Sequence, residues 1–216
     1  MHAPVKRRRY DSPRRREQAR ETRRTILEAA RALFVERGYG PTTIGAVAER
    51  ARVAPETVYA AFGNKRSLLA EVVDVAIAGD DAPVPVLERP WVRQLREEPD
   101  ARGRLRILAG NARAMLERST PILEVLRGAG ASDPELGELW RRYQAQRFEG
   151  QRVLLGIVTE RTGLHEGLPP EAALDVLFAL GSPEMYGLLV GARGWSPARF
   201  EGWYEDALAR LLLPLG

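Results

Sequence analysis

The stretch TTIGAVAERARVAPETVYAAF, residues 42–62, decides the fold. Thr42 or Thr43 is placed to cap a short helix whose apolar side is Ile44, Val47, Ala48 and Ala51. Arg52 falls in the turn that follows. Pro55 suits the first position of a second short helix carrying Val58, Tyr59 and Phe62, and Gly63-Asn64 breaks it. Just upstream, Ile26, Ala30, Leu33 and Phe34 recur at i, i+4, i+7 and i+8 on one helical face, which Gly38 ends. The pattern predicts a three-helix helix-turn-helix unit. Val53, Val58 and Phe62 are expected in its core. Pro55, Glu56, Thr57, Tyr59, Ala60 and Ala61 are expected nearer to DNA.

Outward from this unit the chain reads as helix after helix. Lys65 opens a helix with Leu68, Leu69, Val72, Val73 and Ala76, ending near Gly79. A proline-bracketed loop spans 80–90, so its Val84 and Val86 are not read as a strand. Helices follow over 91–98 and 100–118. Thr120-Pro121 and Asp133-Pro134 each look like a cap followed by proline, starting a short helix to about Arg127 and a long one to about Thr162. Residues 171–193 are apolar nearly all round and read as one kinked helix or as two. Ser196-Pro197 opens the last helix. The expected fold is all-α, with domains at 1–16 (a basic mobile arm), 17–66 (the DNA-binding head) and 67–216 (a helical ligand-binding and dimerisation body).

Charge sorts along the same division. Residues 1–66 hold 16 Lys/Arg against 7 Asp/Glu, and residues 67–216 hold 17 against 22, so a net of +9 precedes a net of −5. A basic head on a mildly acidic body implies that the head alone meets a polyanion. Lys6-Arg7-Arg8-Arg9 and Arg14-Arg15-Arg16 are placed either to lie along phosphates or to serve as a solvated tail. The 216 residues include no cysteine, which excludes disulfides, thiolate metal sites and a cysteine nucleophile. No apolar run reaches the ~18 residues of a membrane span, and the basic N-terminus lacks a signal peptide's apolar segment. His2 and His165 stand far apart, and the adjacent carboxylates Asp80-Asp81 and Glu97-Glu98 read as solvated charge. These features predict a cytoplasmic protein that is not an enzyme and needs no cofactor or metal.

The residues Ile26-Leu27, Ala30, Leu33-Phe34, Gly38-Tyr39, Thr43-Ile44, Val47-Ala48, Ala51, Val53, Thr57-Val58-Tyr59, Phe62, Lys65 and Leu68-Leu69 together resemble the tetracycline-repressor (TetR) family of bacterial transcriptional regulators. The resemblance covers about residues 20–70. It implies that Thr43, Tyr59 and Lys65 contact phosphates, that Thr57 contacts phosphate or a base edge, and that Pro55, Glu56, Ala60 and Ala61 lie closest to base edges. Two positions depart from the family pattern. Arg52 stands where glycine is usual, and is either an added phosphate contact or an exposed filler of the turn. Ala54 stands where a serine cap is usual. With no Arg, Asn or Gln in the recognition helix, direct readout of bases is expected to be thin.

For the body, the resemblance implies a small-molecule pocket and a homodimer. Trp91, Leu95, Arg113, Met115, Trp140, Tyr143, Arg147 and Phe148 are the candidates for lining the pocket, against the alternative of ordinary core. Leu174, Leu177, Phe178, Tyr186, Leu189, Phe200, Trp203, Tyr204, Leu208 and Leu211 are the candidates for the dimer interface, against the alternative of a monomer core. The expected function is a dimeric repressor that binds a palindromic double-stranded DNA operator and is released by a small-molecule effector. The alternative is a ligand-independent DNA-coating or protein-interaction protein, which a filled body core would favour.

Overall fold

The computed structural model describes residues 13–80, 82 and 84–214. Ten α-helices run through it, and the described residues contain no strand. The head comprises α1 (Pro13–Arg37), α2 (Ile44–Ala51), α3 (Pro55–Phe62) and the first half of α4 (Lys65–Ala78). The body comprises α5 (Pro90–Glu97), α6 (Ala101–Gly130), α7 (Pro134–Thr159), α8 (Pro170–Leu180), α9 (Pro183–Tyr186) and α10 (Pro197–Leu212). A π-helical stretch, Gly187–Ala192, extends α9.

The caps explain most of the boundaries. Thr43, rather than Thr42, caps α2, its Oγ1 accepting from Ala46 N at 3.1 Å. Thr42 is fully buried instead, donating to Gly38 O at 2.8 Å. Asn64 caps α4 through Ser67 N, Asp133 caps α7 through Glu135 N, and Ser196 caps α10 through Arg199 N. Gly38 and Gly79 end α1 and α4 in the left-handed region, which glycine enters without steric cost.

Three expectations need correction or completion. First, α1 begins at Pro13, so Arg14, Arg15 and Arg16 are helical; residues 1–12 of the expected arm lie outside the described residues. Second, no helix starts at Pro121, because α6 runs straight through it. Thr120 is buried and its Oγ1 has no hydrogen-bond partner, so it caps nothing. Leu116 on one side of the proline and Ile122, Leu123 and Leu126 on the other are all buried. That packing holds a continuous helix where the local pattern reads as a start. Third, the apolar 171–193 segment is two helices. Ser182 Oγ accepts from Met185 N at 3.0 Å to begin the second, at a bend of 43°. Among the described residues no single helix is long and apolar enough to cross a membrane; α8 and the α9 segment reach that length only as this bent pair.

Two apolar cores hold the molecule together. The first joins Phe34, Val47, Val58 and Phe62 of the head to Leu69 and Val72 of α4, and continues into Ile122 and Leu126 of α6 and Leu136 of α7. It therefore passes through residue 66 without a break, and α4 belongs to both halves. The second is built from Leu95, Leu105, Leu116, Leu155, Leu174, Phe200, Tyr204 and Leu208. Where α6 gives way to α7 the backbones nearly touch: a Cβ on Gly137 would stand 3.0 Å from Gly130 O.

Candidate nucleic-acid interface and interior cavity

In the head, Val58 and Phe62 point into the core while Pro55, Glu56, Tyr59 and Ala60 face solvent. Tyr59 is 53% exposed, so its ring is not spent on packing. Thr57 is half-buried. Ala61 departs from expectation: it packs against the head core, and its carbonyl accepts from Arg23 Nη1 at 2.9 Å. The exposed surface of α3 is therefore narrower than the sequence suggests. Beside it, Thr43 is exposed at the start of α2, and Arg52 is exposed at its end.

Arg52 adopts φ 55°, ψ 43° and is the one non-glycine with positive φ among the described residues. For a residue with a Cβ the left-handed region costs roughly 1–2 kcal/mol. Its backbone N–H closes α2 on Glu49 O at 3.1 Å. Ala54 provides no side-chain cap to α3, and Pro55 occupies the first turn.

Lys65, which the family resemblance implies as a phosphate contact, is already engaged within the protomer. Its Nζ donates to Tyr39 O at 3.0 Å, Gly40 O at 3.2 Å and Thr42 O at 2.9 Å, and lies 4.2 Å from the centre of the Tyr39 ring. All three ammonium hydrogens are thus engaged, and burial pushes the amine below its ordinary pKa. The side chain holds the 39–42 loop, and with it the Thr43 cap, against the start of α4. A phosphate contact by this ammonium would have to break those bonds.

The body contains a cavity of about 1260 Å³ between α4, the 84–91 segment, α6 and α7, with α8 and α10 at its base. Of the eight candidates, Trp91, Met115, Tyr143 and Arg147 line it. The other four do not. Leu95 is fully buried in the core, Arg113 is held by Glu201 at 2.9 Å and Glu117 at 3.0 Å, and Phe148 packs edge-on against Phe178. Trp140 lines a separate pocket of about 130 Å³ with Leu123 and Pro183. Sequence reasoning missed Asp74 and Ile77 of α4, Asn111 and Arg118 of α6, and Gln151 of α7. It also assigned Leu177 and Tyr204 to the dimer interface, whereas both line this cavity.

Six of the ten interface candidates are consumed by the protomer's own core: Leu174, Leu177, Tyr186, Phe200, Tyr204 and Leu208. The long apolar stripe of α10 faces inward because α6 and α8 pack on it. Phe178, Leu189 and Trp203 are half-buried, and Leu211 is 48% exposed.

The cavity and the head meet at α4. Leu68, Leu69 and Val72 lie in the head core, while Asp74, Ile77 and Ala78 line the cavity. Arg118 sits on the cavity wall with its Nε 3.4 Å from Ala76 O, at the end of α4, while its own carbonyl accepts from Arg31 of α1 at 2.9 Å. Arg66, at the start of α4, pairs with Asp133 at 2.9 Å and Glu135 at 3.2 Å.

Residues 26–72 match the family model described as bacterial regulatory proteins, tetR family. The chain is 28% identical over 176 residues to the HTH-type transcriptional regulator YdeS of Bacillus subtilis, a span covering 78% of this chain and 79% of that protein. Other curated relatives match over shorter spans, across about a quarter of their length; one is TtgR of Pseudomonas putida, 41% identical over 58 residues, which is 27% of this chain and 28% of that one. Among solved structures, NalD of Pseudomonas aeruginosa, the secondary repressor of the MexAB-OprM multidrug efflux pump, superposes with a TM-score of 0.64 at 25% identity, covering 91% of this chain and 98% of that one. A TetR-family regulator from Mesorhizobium loti gives a TM-score of 0.65 at 22% identity, covering 89% and 96%.

Proposed function

We propose that this chain, whose residues 26–72 match the tetR-family model, is a dimeric, ligand-released repressor of that family working in the cytoplasm. The exposed side of α3, with Glu56, Tyr59 and Ala60, enters the major groove, and Thr43 and Arg52 flank it on the phosphates. Glu56 is the one side chain there suited to accept from a cytosine amino group, and alanine reads only a thymine methyl.

The cavity is the observation that carries the ligand-responsive reading over a ligand-independent DNA-coating protein. About 1260 Å³, partly open to solvent and bordered by Leu108, Met115 and Leu154, is ample for a small organic ligand, whose pockets run to roughly 300–1,000 Å³. Because the last turns of α4 form part of its wall and the first turns belong to the head, an occupant that displaces α4 moves the head with it. Such an occupant must bind the released conformation more tightly than the DNA-bound one, or it shifts nothing.

Two heads related by symmetry should protect two half-sites whose centres are one helical turn, or a small multiple of it, apart. Footprinting on a selected operator checks this; full affinity for a single asymmetric half-site refutes it. The dimer contact is assigned to the outward side of α10, where Trp203, Ala207 and Leu211 recur every fourth residue and remain at least partly exposed. Leu211→Glu should yield folded monomers on size exclusion with helical content retained. Leu208→Glu, by contrast, should unfold the body, since Leu208 is fully buried. An unchanged dimer in Leu211→Glu would move the interface elsewhere.

A further inference from the structure

Toward α8 and α10 the cavity wall is polar in a specific way. Arg147, half-buried on α7, donates from Nη1 to Phe178 O at 2.9 Å and Gly181 O at 3.4 Å, and from Nε to Gln144 Oε1 at 3.3 Å. Its guanidinium carbon lies 3.5 Å from the centre of the Phe178 ring. These contacts fix the plane of the group and leave Nη2 without a protein acceptor among the described residues. No carboxylate lies within 4 Å of it there either; Arg104, Arg113 and Arg152, on the same two helices α6 and α7, each have one.

Two phenols share this end of the cavity. Tyr204 is 1% exposed, and a Cβ on Gly181 would stand 2.5 Å from its hydroxyl, so the hydroxyl lies beside the carbonyl that Arg147 grips. Tyr143 precedes Arg147 by one helical turn and lines the same space. Neither hydroxyl has a protein hydrogen-bond partner among the described residues. Burial pushes Tyr143 up to about 12 and raises Tyr204 as well, so both remain protonated and able to donate at neutral pH. A half-buried guanidinium with no carboxylate in contact, and only the more distant charge of Glu184 to offset it, is costly to keep, and burial lowers its affinity for its proton. An incoming anion relieves that cost through charge-assisted hydrogen bonds.

Taking the cavity as the effector site, we propose that the effector is an apolar organic monoanion whose carboxylate or sulfonate is received by Arg147 Nη2 and the hydroxyls of Tyr143 and Tyr204. The rest of the wall fits the remainder of such a molecule. Trp91, Leu108, Ala112, Met115 and Leu154 surround an apolar body. The other charges are accounted for. Arg89 is held by Asp80 at 2.7 Å, Arg118 lies on the carbonyls at the end of α4, and Glu149 is exposed with Arg152 at 3.5 Å. Asp74, whose carboxyl is pushed up by burial, and Glu149 both line the space, and they repel a second negative charge.

A matched pair of fluorescent probes separates charge from shape. 8-Anilino-1-naphthalenesulfonate carries one sulfonate; N-phenyl-1-naphthylamine has the same rings and none. The full-length protein should bind both, the anion at least tenfold more tightly. Ala112→Trp, which puts an indole on the cavity wall, should weaken both signals at least tenfold. Arg147→Gln should weaken the sulfonate 10- to 100-fold and leave the neutral probe unchanged. Because Arg147 also braces α8, Tyr204→Phe provides the second variant: it removes only an unpartnered hydroxyl oxygen and should weaken the sulfonate three- to tenfold without lowering the melting temperature. Equal binding of the two probes, unaffected by either variant, would overturn the anion assignment while leaving the cavity as a ligand site. Failure of both probes to bind, or binding that Ala112→Trp leaves unchanged, would overturn the cavity reading and the anion assignment with it.

Discussion

Ala60→Glu should weaken operator binding by roughly 30- to 1000-fold and leave thermal unfolding within a degree or two of the parent. Ala60 is solvent-exposed on α3, next to Tyr59 and one turn on from Glu56, so a longer side chain there meets nothing in the protomer. In a helix the exchange itself costs only a few tenths of a kcal/mol. Against DNA the outcome differs. A carboxylate brought to the groove floor between two rows of phosphates loses its hydration and meets like charge, a juxtaposition that costs several kcal/mol. At about 1.4 kcal/mol per factor of ten, 2–4 kcal/mol gives the range stated. Ala60→Lys should preserve or raise affinity for all duplexes while blurring sequence preference, because a lysine here reaches phosphates as readily as bases. Anisotropy titrations with operator and unrelated duplex, at two salt concentrations, measure both. If Ala60→Glu binds like the parent, α3 does not lie in the groove, and the assignment of Glu56 and Tyr59 falls with it.

The head was largely legible in the sequence because its signals are local. A cap, a proline at the first turn, a glycine stop and a four-residue apolar spacing each act within a few residues, and each appears where the spacing put it. Thr43, Pro55, Gly38, Val58 and Phe62 are all of this kind. The failures arise where a residue's role is set by something distant. Thr120-Pro121 carries the same local signal as Asp133-Pro134, yet only Asp133 has backbone N–H groups to receive; packing on both sides of Pro121 keeps α6 whole. Lys65 has its ammonium taken by a loop more than twenty residues earlier. The cavity gathers Asp74, Arg118, Arg147 and Tyr204 from four helices, and no spacing rule links such positions. The stripe of α10 is apolar for the reason any core helix is. An apolar face shows that something covers it, and here α6 and α8 do, so the stripe could not by itself distinguish a partner subunit from the protomer's own helices.

Arg104→Met should cost about 2–5 kcal/mol of stability and lower the melting temperature by about 4–20 °C, at the roughly 2–4 °C per kcal/mol usual for chains of this size. Arginine in a helix is normally read as surface, yet Arg104 is 1% exposed. Its Nε donates to Glu98 O at 2.7 Å and its Nη2 to Arg96 O at 3.3 Å, both at the end of α5, while Nη1 donates to Ile157 O near the end of α7. One guanidinium thus satisfies the terminal carbonyls of two helices and places its charge at the negative end of both dipoles. Glu160, its ion-pair partner at 3.7 Å, is 68% exposed and contributes little. Methionine fills the volume but donates nothing, so carbonyls held away from water lose their partners at about 1–3 kcal/mol each. Part of that loss is offset because a cation no longer has to be desolvated. Arg104→Lys, which keeps the charge without the fork, should recover less than half of the loss. Arg113→Met, removing a bridge whose two side chains are 35% and 32% exposed, should cost under about 1 kcal/mol. Since α5 carries Trp91 and Gln94 to the cavity wall, effector binding in Arg104→Met should weaken while operator affinity at low temperature holds. Thermal melts of the three variants, together with probe binding below the transition, check the order. If Arg104→Met melts with the parent, the terminal carbonyls of α5 and α7 find other partners, and the buried guanidinium is not what holds α5 in place.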